Sequence, residues 1–404
     1  MNRKKILYLV LATLSMLVAG LMYNLTVFYE SISESIGCSH SAVALTFSLS
    51  QLCFCFGGLI LGYTYNRVNF NASVIIASIG MGLGLFLSSQ VSAVWQLYVC
   101  YAIIMGLCAG FIYKAVLSAV LPWFHDDPGL ASGIMMMGAG LTAFVFNVPT
   151  TKLIQMTDWR TAMKAVALIA FLCTMLAAVF IRRRPADEVR KEKKLNPSQN
   201  DSRDIPTGKM MKMPEFYLYF IWSVLLLAGC TSITGNCIGL SKDIGLTSAS
   251  AAILSMIISF FNAISRIFYG ALYDRRGRMI SMGIATAFFA AGALTLHLGL
   301  ATKSVFFLVI SFVTIGMSFG GVPTISSTYI LKTFGRKYYA SNFSVQGAYS
   351  IFSPIFGSSL FALLYGRTES YQLSFLYVLL YAGISVAMYF TLNRLLSKDQ
   401  NTEH

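Results

Sequence analysis

"GYTYNRVN", residues 62–69, and "GALYDRRG", residues 270–277, carry glycine, tyrosine and arginine at the same offsets, 208 positions apart. Each octet closes a long apolar run, 41–63 before the first and 249–273 before the second. A chain that repeats one turn behind one kind of run is expected to consist of two parallel copies of a single unit.

Working outward, apolar runs lie near 6–29, 41–63, 72–91, 94–121, 129–151 and 161–181, then near 215–240, 249–273, 279–300, 304–331, 340–364 and 371–396. Each is long enough to cross a hydrocarbon core of about 30 Å, which takes about 20 apolar residues in a helix. With 56% hydrophobic and 11% charged residues among 404, the composition belongs to a bilayer protein and not to a soluble domain. The expected fold is an all-α membrane protein of twelve transmembrane helices. It comprises an N-terminal six-helix half (1–181), a basic linker (182–214), a C-terminal six-helix half (215–397) and a tail (398–404). The linker begins "RRRPADEVRKEKK", with charge and proline but no apolar period. The opening "MNRKKILYLVLATLSMLVAG" has the basic start of a secretory signal, but its apolar stretch continues to Phe28 and reads as a retained first helix.

Twenty-two lysines and arginines fall in segments on the N-terminal side of the membrane, among them Arg67, the linker and Arg275, Arg276 and Arg278; six fall on the other side. Positive residues stay in the cytoplasm, so both termini and the linker are expected inside, at a plasma (inner) membrane. The net charge of +14 is then topology and contact with anionic lipid, and no nucleic-acid partner is expected. A monomer without cofactor or metal is expected. The eight cysteines lie mostly in apolar runs without ligand spacing and read as small packing residues.

The second octet extends to "GALYDRRGR", which resembles the loop signature of the major facilitator superfamily, and the twelve-helix layout is similar over nearly the whole chain. The resemblance implies a conformational latch at Gly270, Asp274, Arg275, Gly277 and Arg278, with Arg67 in the first half. There Asn66 and Asn69 replace the aspartate and the later glycine, which implies a weaker latch. A narrower likeness is carried by "WFHDDPGLASGIMMMGAG", residues 123–140, which is similar to the entry of helix 5 in oxalate/formate antiporters and monocarboxylate transporters. Asn262 and Arg266 on helix 8 resemble the same group, in which the arginine binds the substrate carboxylate and many members have aspartate where this chain has Asn262. The chain departs from the oxalate antiporter on helix 11, where "GAYSIFSPIFG" places Phe352 or a neighbour at the position of a lysine.

Read from the residues alone, Ser255, Ser259, Asn262, Arg266 and Gly270 fall on one narrow helix face. A guanidinium in a spanning helix costs a few kcal/mol on insertion scales, and its fork of donors suits a carboxylate. Two readings stand: ligand binding, or an arginine snorkelling to the interface near Asp274. Lys114 shares a face with Gly106, Gly110 and Ser118, a small and polar stripe that either packs on a neighbouring helix or lines a cavity. Both cations lie some six residues beyond the middle of their spans, so similar depth is expected. The sixteen acids fall at helix ends or in loops, and two cations without an internal counter-ion imply a small anionic ligand. Tyr23, Asn24, Asn236, Tyr329, Gln346 and Tyr349 are further candidate cavity residues, each equally readable as an interhelical hydrogen-bonding group. His297 reads as a packing residue. Pro149, Pro323 and Pro354 are expected to bend helices 5, 10 and 11.

Four scattered histidines offer no metal or triad set, so no enzyme is expected. The expected function is alternating-access transport of a monocarboxylate or small dicarboxylate by exchange or uniport. Proton-coupled monocarboxylate symport and a non-transporting nutrient sensor on the same fold are the alternatives.

Overall fold

The computed structural model describes residues 3–65, 67–184 and 204–402, so most of the linker and Asn66 lie outside the described residues. Among the described residues, eleven helices are long and apolar enough to cross a membrane. They are α1 (Arg3–Ile36), α2 (His40–Thr64), α3 (Phe70–Ser88), α4 (Val94–Trp123), α5 (Pro128–Met156), α6 (Trp159–Phe180) and α7 (Pro214–Asp243), then a double-length helix, then α10 (Val305–Phe334), α11 (Tyr339–Thr368) and α12 (Tyr371–Leu395). The double-length helix, Ser248–Thr302, is two helices joined at Gly277, whose φ of 74° and ψ of −174° leave the helical region. They are α8 (248–276) and α9 (278–302), so the described residues contain the twelve spans expected. Gly277 belongs to the repeated octet, and its left-handed φ is one that L side chains rarely adopt.

Contacts divide the chain into two units, Met1–Ile205 with Ile330–Gly347, and Pro206–Tyr329 with Ala348–His404. The units follow the two halves of the sequence except at Ile330–Gly347, the end of α10 and the start of α11, which group with the first. Helix α11 is interrupted there: a half-helix, Tyr339–Gln346, is followed by a turn at Gly347 and Ala348, and helix resumes at Tyr349.

In the first unit α1 meets α5 through backbone approach. A Cβ on Gly138 would lie 2.3 Å from the Thr13 carbonyl, and the Thr142 hydroxyl donates to the Leu17 carbonyl at 2.6 Å. In the second unit the core is aromatic. The Tyr219 and Tyr329 rings stack with centroids 4.0 Å apart, and the Trp222 indole donates to Thr286 Oγ1 at 2.9 Å, joining α7 to α9. Pro149, Pro323 and Pro354 all sit inside helices, and Pro354 directly precedes a wider π turn, Ile355–Ser359. Residues Gly20–Phe28 of α1 are wound as a tighter 3-10 segment, and this segment carries Tyr23 and Asn24. Such irregular windings concentrate at functional hinges.

Candidate substrate-binding site

The second unit positions Arg266. On α8, Ile253, Met256, Phe260, Ile264 and Phe268 form an exposed apolar stripe suited to lipid. Steps of two residues turn a helix by about 200°, so Asn262 and Arg266 lie opposite that stripe. Arg266 is buried at 9% exposure, and its Nη2 lies 3.5 Å from Asn262 Oδ1, the long limit of a hydrogen bond. Helix α10 reaches this face because Gly320 has no side chain. A Cβ there would fall 2.2 Å from the Asn262 carbonyl and 2.1 Å from Ser265 Oγ. Gly320 thus sets the approach of α10 that confines Asn262.

The first unit positions Lys114, and its stripe of small residues packs on α2. A Cβ on Gly110 would lie 1.8 Å from the Phe54 carbonyl, and one on Gly106 2.9 Å from the Ser50 carbonyl. The two helices therefore touch backbone to backbone, and Lys114 follows one turn later, 8% exposed. Its ammonium donates to the Phe343 carbonyl at 3.1 Å and sits 3.4 Å from the centroid of the Phe343 ring. Phe343 belongs to the half-helix Tyr339–Gln346, a partner that no charge pattern in the sequence marks.

The remaining candidates fall in different surroundings. Asn24 is buried and donates to Asn147 Oδ1 at 2.9 Å, tying α1 to α5; Tyr23, on the same turn, is exposed and packs on Phe47. Asn236 bonds back to the Ser232 carbonyl within α7. Tyr329 is fully buried, and its hydroxyl donates to the Glu215 carbonyl at 3.3 Å. Gln346 and Tyr349 are buried on either side of the interruption in α11. His297 places a ring nitrogen 3.1 Å from the Phe375 carbonyl, linking α9 to α12.

The two octets are held differently. In the second, Tyr273 is buried, Asp274 half-buried and Arg275 exposed. In the first, Arg67 is exposed and covers the Tyr63 ring at 4.0 Å. Asn69, standing where the later glycine would be, caps α3 by accepting from the Asn71 and Ala72 amides. Arg183, a residue of the expected linker, donates to the Tyr65 carbonyl and lies 3.7 Å from its ring. Burial pushes the Tyr65 hydroxyl up from its ordinary pKa, and Arg183 offsets part of that shift.

Sequence reasoning missed Phe343, Arg183, Asn147 and Glu215. Asn147 carried a signal, an amide two residues before Pro149 inside an apolar run. Glu215 lies in the first turn of α7 and is nevertheless buried, at 7% exposure. A cavity of about 280 Å³ in the first unit, lined by Ile60, Ile76, Leu107 and Phe111 among others, is apolar, and Lys114 does not line it.

Twelve apolar helices with one repeated turn behind the second helix of each half define a multi-pass membrane carrier. The Major Facilitator Superfamily model matches residues 11–358 and 226–403, and the chain belongs to that family, whose members are transporters and not enzymes. The chain is 26% identical to the oxalate:formate antiporter of Oxalobacter formigenes over 88% of its own length and 84% of that protein's. It is 23% identical to monocarboxylate transporter 12 of Xenopus laevis over 53% of this chain and 50% of that one. Among solved structures, the proton:xylose symporter XylE bound to 6-bromo-6-deoxy-D-glucose superposes with a TM-score of 0.76 at 14% identity. That match covers 98% of this chain and 96% of XylE, and it shows the shared fold.

Proposed function

We propose that this transporter moves a small organic anion, a monocarboxylate or small dicarboxylate, by alternating access as an exchanger or uniporter. The observation that carries the proposal is Arg266: a permanently charged fork, 9% exposed, on the face of α8 opposite its lipid stripe. A guanidinium cannot shed its proton to escape burial, and two parallel N–H donors match a carboxylate. Snorkelling is disfavoured because the side chain is buried on the face turned away from the lipid stripe. Two relatives, an oxalate:formate antiporter and a monocarboxylate transporter, support the same substrate class. Lys114 supplies a second positive charge, in the first unit. The positive-residue count supports cytoplasmic termini in a plasma membrane.

The test is a thermal-shift screen of the purified chain with lactate, pyruvate, formate, oxalate and acetate against neutral sugars. A ligand at a hundred times its Kd stabilises the folded state by about 2.7 kcal/mol. One or more anions are expected to raise the midpoint of the parent and leave Arg266→Gln unmoved. An anion response of equal size in Arg266→Gln would remove the arginine from the site.

Proton coupling is a second reading, favoured by one observation, the buried Glu215 on α7.

A further inference from the structure

The sequence leaves Lys114 between packing and cavity; the structure gives it a definite task. Its stem passes a glycine on α2, since a Cβ on Gly58 would lie 3.1 Å from Lys114 Cγ. Its head passes a glycine on α11, since a Cβ on Gly347 would lie 2.7 Å from Nζ. Between them the ammonium reaches the Phe343 carbonyl at 3.1 Å and the face of the Phe343 ring at 3.4 Å. That carbonyl belongs to the last turn of the half-helix Tyr339–Gln346 and also accepts from the Gly347 amide at 3.0 Å. The last carbonyls of a helix lack partners within it, and the end of the helix carries partial negative charge, so a cation there is doubly favoured. Elsewhere on the half-helix, Ser341 donates to the Gly62 carbonyl and Asn342 to the Ile205 carbonyl at 3.0 Å, both in the first unit.

We propose that Lys114 is the pin of a releasable clasp: its ammonium holds the half-helix 339–346 through the Phe343 carbonyl, and the carboxylate of the transported anion competes with that carbonyl for the same ammonium. The competition rests on the organic-anion reading above; the clasp does not. A carboxylate carries full charge and outbids a neutral carbonyl as an acceptor for an ammonium. Once it takes the ammonium, the turn at Phe343 and Gly347 loses the contact with the Lys114 charge. Anion binding is thereby coupled to loosening of the one part of α11 that packs in the first unit, with Gly347 and Ala348 as the joint.

Hydrogen exchange read by mass spectrometry on the peptide spanning 339–348 tests this in the full chain, with lactate and oxalate as the probe anions. Without anion, Lys114→Met is expected to accelerate exchange of this peptide about tenfold, the size set by losing one charge-assisted hydrogen bond. Gly347→Ala, which leaves the lysine in place but puts a methyl in the space of its ammonium, is expected to shift exchange in the same direction and guards against a misfolded Lys114→Met. With anion, exchange of the parent is expected to rise toward that of the variants, while Lys114→Met does not respond further. Parental exchange rates in both variants would overturn the clasp. Fast variants, with a parent whose exchange ignores an anion that does raise its thermal midpoint, would overturn the competition. If neither anion raises the midpoint of the parent, the organic-anion reading and the competition fall together, and the variants without anion still decide the clasp.

Discussion

Arg266 and Lys114 carry the same charge but are accommodated by different means, and the difference decides how visible each was in the sequence. Arg266 announced itself, because a residue that cannot be neutralised is costly in an apolar run and the polar stripe around it faced one way. Its burial opposite the exposed residues of α8 follows from that periodicity. The Phe343 carbonyl that receives Lys114 was not legible, since every residue has a backbone acceptor and none marks which one an ammonium will choose. Arg183 was hidden for another reason: it stands in a basic run that reads as solvated linker, yet it bonds the Tyr65 carbonyl and covers the Tyr65 ring. Arg183→Gln should therefore lower the thermal midpoint, by the equivalent of about 1–2 kcal/mol for one half-buried charged hydrogen bond. Arg182→Gln, whose side chain is exposed, should leave it within experimental error. Equal midpoints for the two variants would return Arg183 to the linker.

At the scale of the element, glycine spacing separates helices that touch from helices that merely neighbour each other. The stripe Gly106, Gly110, Lys114 left open whether it packs or lines a cavity, and backbone contact of α4 with α2 answers for its first two members. A side chain on Gly110 has nowhere to go, because its Cβ would stand 1.8 Å from the Phe54 carbonyl. Gly110→Val should cost at least about 1–3 kcal/mol through overpacking. Gly383→Ala on α12 is the matched control, since a Cβ there meets nothing within 4 Å, and it should be neutral or slightly stabilising. Thermal midpoints in one detergent compare the two directly, and a neutral Gly110→Val would mean that α2 and α4 can separate without loss. The interruption of α11 at Gly347 was less legible than these contacts. A glycine in an apolar run signals close approach and a break equally well, and only packing of the preceding half-helix in the first unit distinguishes them.

For the whole molecule, the repeated octet and the run lengths carried the twelve-helix architecture, because bilayer thickness fixes helix length and a repeat fixes topology with little help from detail. Energy coupling had no such determinant. The sequence puts every acid at a helix end or in a loop, and Glu215 does lie at a helix end, yet in the first turn of α7 it is buried at 7% exposure. Carriers that couple to protons use carboxylates within the membrane as relays, which makes Glu215 the residue on which to test symport. Exchange and symport then make opposite demands on Glu215→Gln. If the carrier exchanges one anion for another, proteoliposomes loaded with an anion should show unchanged counterflow in this variant, and uptake into empty vesicles should ignore an imposed pH gradient in parent and variant alike. If it couples to protons through Glu215, uptake by the parent should accumulate substrate when the outside is acid, and the variant should lose that accumulation while retaining counterflow, since exchange of loaded carriers needs no net proton movement. Counterflow lost together with accumulation would instead make Glu215 a structural support of the aromatic cluster, which a drop in thermal midpoint would register independently.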